Sequence, residues 1–259
     1  MKKFHAALVA GALVAAAHSA SASVVITEVD PFGSNGSDGY VADWFELTNT
    51  GTSSVSISGW SMIDNHAASN STDPYAAGAT ISTSNSKNAA APLTLANGQT
   101  TLAAGQTAIF LESPSSAANS GALIQSFETA WFGTNVPSGL VVGTYDDGSG
   151  ANFGLSQTAD MVNVFNSSSS LVASVAFGAD AGTPVSTFDN TAGLNDATLT
   201  QKSVVGVDGA FVSATGQEVG SPGAISAVPL PDSVVLLLSG LGALALFAFL
   251  PAVQGRRFA

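Results

Sequence analysis

The sequence predicts an all-β domain that lies between two targeting segments, and three observations lead to that prediction. Apolar residues between positions 23 and 227 come in short runs separated by Gly, Asn, Asp and Pro, which is typical of strands joined by turns. No sustained helical period is visible in this region. Long apolar runs occur only near the two ends of the 259-residue chain.

Short apolar runs with strand-like alternation define the predicted strands. They cover residues 24–29, 44–49, 55–63, 107–111, 160–165 and 171–177, with a further strand near 210–213. Asn49-Thr50-Gly51 is a turn signal and favours a hairpin between the second and third of these strands. Long loops or insertions that carry small secondary elements are predicted for the polar segments 64–100, 113–150 and 179–203.

The amino end has the pattern of a secretory signal peptide. Two lysines precede an apolar run over residues 6–17, and Ala20 and Ala22 supply small side chains before a cleavage site. Cleavage after Ala22 would remove residues 1–22. The sequence therefore predicts an exported protein.

The carboxyl end has the pattern of a transmembrane helix with a basic cytoplasmic end. The uncharged apolar run 234–250 corresponds to about 25 Å of helix, and an extension to residue 253 completes a span. Arg256 and Arg257 follow and should remain in the cytoplasm under the positive-inside rule. We expect a membrane helix over 234–253, with the preceding chain on the far side.

A proline motif directly precedes this apolar run and consists of Val228, Pro229, Leu230 and Pro231. Together with the helix and the basic end, residues 228–259 resemble the PEP-CTERM sorting signal of exopolysaccharide-producing Gram-negative bacteria, although Leu230 stands where the name-giving motif has Glu. The resemblance implies processing by exosortase, a membrane-embedded cysteine transpeptidase. Two alternatives stay open: a Gram-positive sortase signal, of whose five positions two differ here, and a plain anchor that no enzyme cuts.

Charge and cysteine content limit the partners and the stabilising chemistry of the exported region. Seventeen acidic residues stand against two lysines between positions 23 and 228, a formal charge of −15. Such a surface disfavours nucleic acid and anionic lipid as partners. The chain has no cysteine, so the fold must rest on its core without disulfides.

The most specific internal motif is WFELTN over residues 44–49, followed by GWSMID over 59–64. Alternation places Trp44, Glu46 and Thr48 on one face of a strand and the intervening residues on the other. Since both faces carry large apolar side chains, both cannot face solvent. We expect Trp60 and at least one of Trp44 and Phe45 to lie in the core.

These motifs resemble those of the lamin-tail domain, whose bacterial members share a Trp-x-Glu-Leu-x-Asn stretch and a Gly-Trp-x-Leu-x-Asp stretch. The opening ITEV over residues 26–29 and a closing GSPG over 220–223 extend the resemblance. It implies an immunoglobulin-like β-sandwich for the ectodomain, residues 23–227. Met62 stands where Leu is usual, and the insertions 64–100 and 113–150 exceed what a minimal domain needs.

The sequence offers few residues that could carry out catalysis. His66 is the only histidine of the mature chain and lies in a polar loop, and there is no cysteine nucleophile. Glu28 and Glu46 lie in predicted strands and could form a carboxylate pair of the glycosidase kind, but a hydrogen-bonded structural role is the simpler interpretation. The sequence predicts a protein that is not an enzyme and has no cofactor.

Two further groups of residues suggest a ligand site, and each has a simpler explanation. The acidic turns Asp146-Asp147 and Asp30…Asp38…Asp43 could supply oxygen ligands for calcium, yet Asp is also common in surface turns. Trp131 and Tyr145 could stack on sugar rings if they were exposed, whereas core anchoring is the commoner role of aromatic side chains.

These features predict an exported, exosortase-sorted protein of the cell surface or extracellular matrix with a non-catalytic role. The expected role is adhesion or assembly of an exopolysaccharide-associated biofilm, with exopolysaccharide or other matrix components as partners and the membrane contacted only through the tail before processing. The alternative is a secreted hydrolase or carbohydrate-binding accessory module that a plain carboxyl-terminal anchor retains.

Overall fold

The computed structural model describes residues 24–33, 39–64, 91–113, 120–145, 154–179 and 184–224. The predicted signal peptide and the predicted sorting tail lie outside these residues. Within them, no helix is long and apolar enough to cross a membrane. The elements are β1 Val24–Asp30, β2 Trp44–Asn49, β3 Val55–Ser56, β4 Ser61–Asp64, β5 Ala91–Leu95, β6 Thr101–Leu102, β7 Thr107–Glu112, α1 Ser120–Phe132, β8 Val142–Tyr145, β9 Asp160–Phe165, β10 Leu171–Phe177, β11 Val185–Ser186, β12 Phe188–Asp189, β13 Ala197–Leu199, β14 Phe211–Val212 and β15 Glu218–Gly220.

Ten of the strands form one hydrogen-bonded series that folds into two facing sheets. Its order is β12-β1-β2-β7-β8-β5-β4-β9-β10-β13. Strand β5 belongs to both sheets, because Ala91 and Pro92 pair with β4 while Leu93, Thr94 and Leu95 pair with β8. Strand β1 packs across the interior against β10. The architecture is therefore a β-sandwich, with a separate small sheet of order β11-β15-β14.

The apolar core lies between the two sheets, where alternate residues of each strand point inward. Phe45 and Phe110 stack there with ring centroids 5.5 Å apart, and Tyr145 contacts Phe45 at the same distance. Trp60 and Met62 complete the core from the opposite sheet. The prediction that Trp60 and at least one of Trp44 and Phe45 lie in the core is confirmed, and both Trp44 and Phe45 are fully buried.

Helix α1 forms a third layer on the outer face of β2, β7 and β8. Ile124, Phe127 and Trp131 recur at helical spacing and are buried against this face. The helix ends at Gly133, which has a φ of 60° and donates its N–H to the Thr129 carbonyl. The expectation that the ectodomain has no helical period is therefore wrong for residues 120–132.

The structure corrects the predicted hairpin. Strand β2 pairs with β1 and β7, and β3 pairs with β6, so the two segments around Asn49-Thr50-Gly51 are not partners. Instead, Asn49 accepts a hydrogen bond from the Gly51 N–H and donates to the carbonyls of Ser53, Leu102 and Ala103. The Asn49 amide group thereby holds the chain where it crosses from one sheet to the other. The predicted strand 55–63 divides into β3 and β4.

Replacing Trp60 with alanine tests the placement of the core. Trp60 is 6% exposed, so removal of its ring should lower the free energy of unfolding of the ectodomain by about 3–5 kcal/mol. Chemical denaturation of residues 23–227 provides the measurement. Val41→Ala is the control, because Val41 is 60% exposed and its truncation should change stability by less than about 0.5 kcal/mol. Equal stability of the two variants would contradict the assignment.

Candidate functional site

A β-bulge in the first strand places two carboxylates side by side. The register between β1 and β2 shifts between Ile26 and Glu28, so that Thr27 and Glu28 both oppose Glu46. Ile26 remains in the core while Glu28 turns to the outer face of the sheet. Both glutamates are about 1% exposed. The bulge therefore creates a buried pair of acidic side chains.

The glutamate pair holds the last described turn of the chain, residues 220–223, which we call the closing segment. Glu28 accepts hydrogen bonds from the Ser221 N–H at 2.8 Å and from the Ser221 hydroxyl at 3.2 Å. Glu46 accepts the Gly223 N–H at 2.7 Å. The two carboxylates thus satisfy backbone donors that the turn itself leaves unpaired.

Hydroxyl groups complete the surroundings of the pair. Thr187 and Ser203 donate to Glu28, and Thr27 donates to Glu46 at 2.6 Å. Thr27 also bonds to Thr48 at 3.0 Å, and Thr48 bonds to Thr107 at 2.9 Å. A line of hydroxyls therefore runs from Glu46 across the outer face of three strands.

Close packing leaves no space around the closing segment. A Cβ atom at Gly220 would lie 2.7 Å from Glu28 Oε1, 2.8 Å from the Trp131 ring and 2.9 Å from Thr187 Cγ2. Only glycine fits where the chain passes between the helix and the carboxylate. The GSPG motif is thus explained by contact with Glu28 and Glu46.

Tyr40 joins the helix layer to the strand that precedes the closing segment. The Tyr40 hydroxyl accepts hydrogen bonds from the indole N–H groups of Trp44 and Trp131, with an N–O distance of 3.1 Å in each case. It donates a hydrogen bond to the Glu218 carboxylate at 2.9 Å. Glu218 is completely buried. No sequence pattern marks Tyr40, Thr187 or Glu218 as site residues, whereas the closing motif over residues 220–223 points to this region.

Burial changes the ionisation of these groups. Removal from water raises the pKa of Glu28 to about 7, although the hydrogen bonds from Thr187 and Ser221 oppose the change. Burial and then the neighbouring charge of Glu28 raise the pKa of Glu46 well above its usual range. Burial, followed by the charges of Asp30 and Glu218, likewise raises the pKa of Tyr40. The glutamate pair consequently retains a proton to a higher pH than exposed carboxylates do.

This geometry suits a structural role for the glutamate pair. The oxygens of Glu28 and Glu46 face Thr27, Thr187, Ser221 and Gly223, and the closing segment covers them. A glycosidase pair needs both carboxyl groups in contact with a substrate or a water molecule. The position that a sugar would need is filled here by the protein's own backbone.

The predicted calcium residues are only partly described. Asp38, Asp146 and Asp147 lie outside the described residues. The Cβ position of Gly154 is 3.3 Å from Asp43 Oδ2 and 3.4 Å from Glu112 Oε2, so these two carboxylates converge. Among the described residues, no group of three or more potential metal ligands converges, and the calcium site stays a prediction.

The other predicted site residues lie outside the described residues. They are the cleavage-site residues Ala20 and Ala22, the loop residue His66, the sorting motif Val228, Pro229, Leu230 and Pro231, and the basic residues Arg256 and Arg257.

Sugar stacking on Trp131 or Tyr145 is ruled out by burial. Each side chain is 1% exposed: Trp131 packs on Trp44 at a centroid distance of 5.8 Å, and Tyr145 packs in the core. A shallow groove of about 310 Å³ runs along α1, and its lining residues are small or neutral: Gly39, Gln125, Ser126, Thr129, Ala130 and Thr215. It contains neither an ionisable side chain nor an aromatic platform.

Fold and site together define an immunoglobulin-like β-sandwich with one helix on its outer face and a carboxyl-terminal turn held by buried carboxylates. The family model for the Lamin Tail Domain matches residues 17–179, which is more than half of the chain. The chain therefore belongs to the lamin tail domain family, and the resemblance seen in its first strands is confirmed. Comparison with curated proteins gives no match. The closing segment lies beyond the matched residues.

Stability should fall as the pH rises through the titration of the glutamate pair. The pKa of Glu28 is raised from 4.5 in the unfolded chain to about 7 in the folded domain. Protonated Glu28 therefore contributes its full stabilisation below pH 4.5, and this stabilisation is lost as the pH rises through about 7. We expect the free energy of unfolding to be about 2–3 kcal/mol lower at pH 8 than at pH 5. Urea denaturation across this range gives the measurement.

Two variants separate the glutamate pair from other groups in this pH test. Glu46→Gln keeps the shape and removes one ionisation, so it should flatten the dependence. His66→Gln removes the only histidine after the predicted cleavage site and should leave the slope between pH 5 and 8 in place. A stability that is constant or rises with pH in the unsubstituted protein would show that the pair is not protonated as described.

Adding a methyl group at Gly220 should disrupt the closing segment. Gly220→Ala places a Cβ within 3 Å of three neighbouring groups and should lower the free energy of unfolding by about 1–3 kcal/mol. Gly121→Ala is the matched control, since nothing lies within 4 Å of that Cβ position in α1, and stability should be equal or up to about 1 kcal/mol higher. Thermal unfolding of both variants measures this difference. Gly220→Ala as stable as the parent would refute the close packing.

Proposed function

We propose that this chain is an exported protein of the cell surface or extracellular matrix whose tail, residues 228–259, is an exosortase sorting signal. Its lamin tail domain has a non-catalytic structural role in adhesion or in an exopolysaccharide-associated matrix. The position of the closing segment carries the proposal. Ser221 and Gly223, whose N–H groups bind Glu28 and Glu46, precede Val228 by seven and five residues.

This spacing suits removal of the tail without damage to the domain. A cut at or after Val228 removes none of the donors that bind Glu28 and Glu46, because Ser221 and Gly223 precede the motif. A processed domain would keep its core, its helix layer and its closing segment. The tail would thus be removable without loss of the contacts that stabilise the domain.

The sequence of the tail supports processing at the membrane surface. Two residues, Asp232 and Ser233, separate Pro231 from the apolar run 234–250, so the proline motif would lie at the outer interface. Proline fixes φ and lacks an N–H, which keeps the motif extended and stops helix propagation into it. Arg256 and Arg257 would hold the other end in the cytoplasm, since moving charge through a bilayer is costly.

The structural role is supported by the state of the carboxylates and by the surface composition. Glu28 and Glu46 are covered by the closing segment, which leaves the hydrolase alternative without its candidate acid pair. Ser, Thr, Asn and Gly are abundant in residues 23–227, while lysine occurs twice. Neutral hydroxyl and amide groups can exchange hydrogen bonds with polysaccharide without requiring charge complementarity.

Changing both motif prolines tests the sorting proposal. Pro229→Ala with Pro231→Ala should leave export intact but trap the full-length chain in the inner membrane, because the motif is no longer held extended for the transpeptidase. Pro251→Ala is the matched control, since it removes a tail proline outside the motif. Cell fractionation with mass spectrometry of the carboxyl-terminal peptide distinguishes these variants.

The carboxyl end of the unsubstituted protein distinguishes the sorting signal from a plain anchor. Released protein from a strain with an active exosortase should lack residues 236–250. A carboxyl-terminal peptide that still contains them would establish the plain anchor and overturn the sorting proposal.

A further inference from the structure

One loop of the described domain concentrates exposed apolar side chains, whereas the other exposed large apolar residues lie singly. Residues 204–209 are six consecutive exposed positions. Val204, Val205 and Val207 are 58%, 55% and 47% exposed, respectively. We call residues 204–209 the valine loop. Three solvent-facing valines within four residues are unfavourable in water and call for an apolar partner.

The valine loop is built to hold this shape. The Val207 N–H bonds to the Val204 carbonyl, the Ala210 N–H to the Val207 carbonyl and the Gly206 N–H to the Ala210 carbonyl. Gly206 and Gly209 have φ values of 82° and 84°, which favour glycine. The loop is therefore a small, preformed protrusion.

The residues flanking the valine loop fix it to the domain. Ser203 is 5% exposed and bonds to Thr187 at 2.7 Å. The Lys202 ammonium lies 2.9 Å from the centroid of the Phe188 ring. Asp208, the one charged residue of the loop, accepts a hydrogen bond from the Thr191 hydroxyl at 3.4 Å. The carboxylate therefore has a partner on the domain, which leaves the valines as the distinctive groups of the tip.

The valine loop lies beside Ala224, the last described residue of the domain. A Cβ atom at Gly209 would lie 2.9 Å from the Ala224 Cβ, and Ala224 directly follows the closing segment. Residues 225–233 then connect Ala224 to the apolar run that begins at Val234. Ten residue steps span at most about 35 Å. The connection therefore limits how far the valine loop can move from the apolar run.

We propose that the valine loop docks on the lipid interface of the membrane that holds the unprocessed tail. This inference rests on the proposed function, because the tail provides the tether. A convex apolar tip can enter the boundary between headgroups and acyl chains. The acidic domain disfavours anionic headgroups, so the docking surface is an uncharged lipid such as phosphatidylethanolamine.

The tether makes weak docking sufficient. Three valines offer little apolar area and no aromatic interface anchor, so the loop by itself should bind vesicles poorly. A linker of nine residues converts docking into an intramolecular event at a high effective concentration. Removal of the tail would end that advantage, and the processed domain would leave the membrane. Docking would also hold Val228–Pro231 close to the interface while the tail is intact.

The absence of native cysteine allows a direct test in the exported chain, residues 23–259. Val205→Cys carries an environment-sensitive fluorophore, and the protein is reconstituted in phosphatidylethanolamine-rich vesicles whose acyl chains are brominated. Leu171→Cys is the control site because Leu171 is 39% exposed. Leu171 is the first residue of β10, and Phe177 is the last. Phe177 contacts Phe188 near the valine loop, so the control site lies at the opposite end of this strand. We expect at least twofold stronger quenching at position 205 than at position 171.

A second pair of variants shows whether the valines cause the docking. Val204→Ser with Val207→Ser should reduce quenching at position 205 to the level at 171, with the thermal unfolding of the domain unchanged. Equal quenching at both positions in the parent would overturn the inference. A blue-shifted label without quenching would also overturn it, since the loop would then be covered by protein.

Vesicle flotation separates this inference from the proposed function. Protein that floats with vesicles without quenching at position 205 disproves loop docking and leaves the sorted tail in place. Protein that does not float disproves the membrane tail and, with it, the docking that depends on the tail.

Discussion

Two buried carboxylates that bind the closing segment are the interactions on which the described architecture depends. Glu28 reaches a residue 193 positions away, and Glu46 reaches one 177 positions away. They join the first two strands to the last described turn in a chain that has no cysteine. The desolvation cost of each acid is offset by several donors and by retained protons. This closure links distant parts of the chain, as a disulfide does in many extracellular domains.

The closing segment also organises the outer layer. Gly220 passes between the Glu28 carboxylate and the Trp131 ring, while Tyr40 links both tryptophans of this layer to Glu218. Loss of the segment would uncover the helix and the carboxylates together. The valine loop lies beside the same region, because a Cβ atom at Gly209 would lie 2.9 Å from the Ala224 Cβ.

Sequence patterns predicted the long central strands well because alternation and β-branched residues mark them clearly. Strands β2, β9 and β10 begin and end where expected, and the WFELTN motif led to the correct family. Strands β5 and β8 were missed because proline, threonine and glycine dilute their apolar signal. The sequence suggested a Glu28–Glu46 pair, but it did not predict the geometry, since strict alternation puts Glu28 on the core face and only the bulge at Thr27 moves it outward.

Amide hydrogen exchange of residues 218–224 tests the central claim most directly. If Glu28 and Glu46 bind the Ser221 and Gly223 N–H groups as described, the peptide covering these residues should exchange as slowly as β2 at pH 6, through global opening only. Glu46→Ala, which removes the acceptor of the Gly223 N–H, should accelerate the Gly223 amide selectively. Exchange of residues 218–224 within seconds in the unsubstituted protein, while β2 stays protected, would contradict the account.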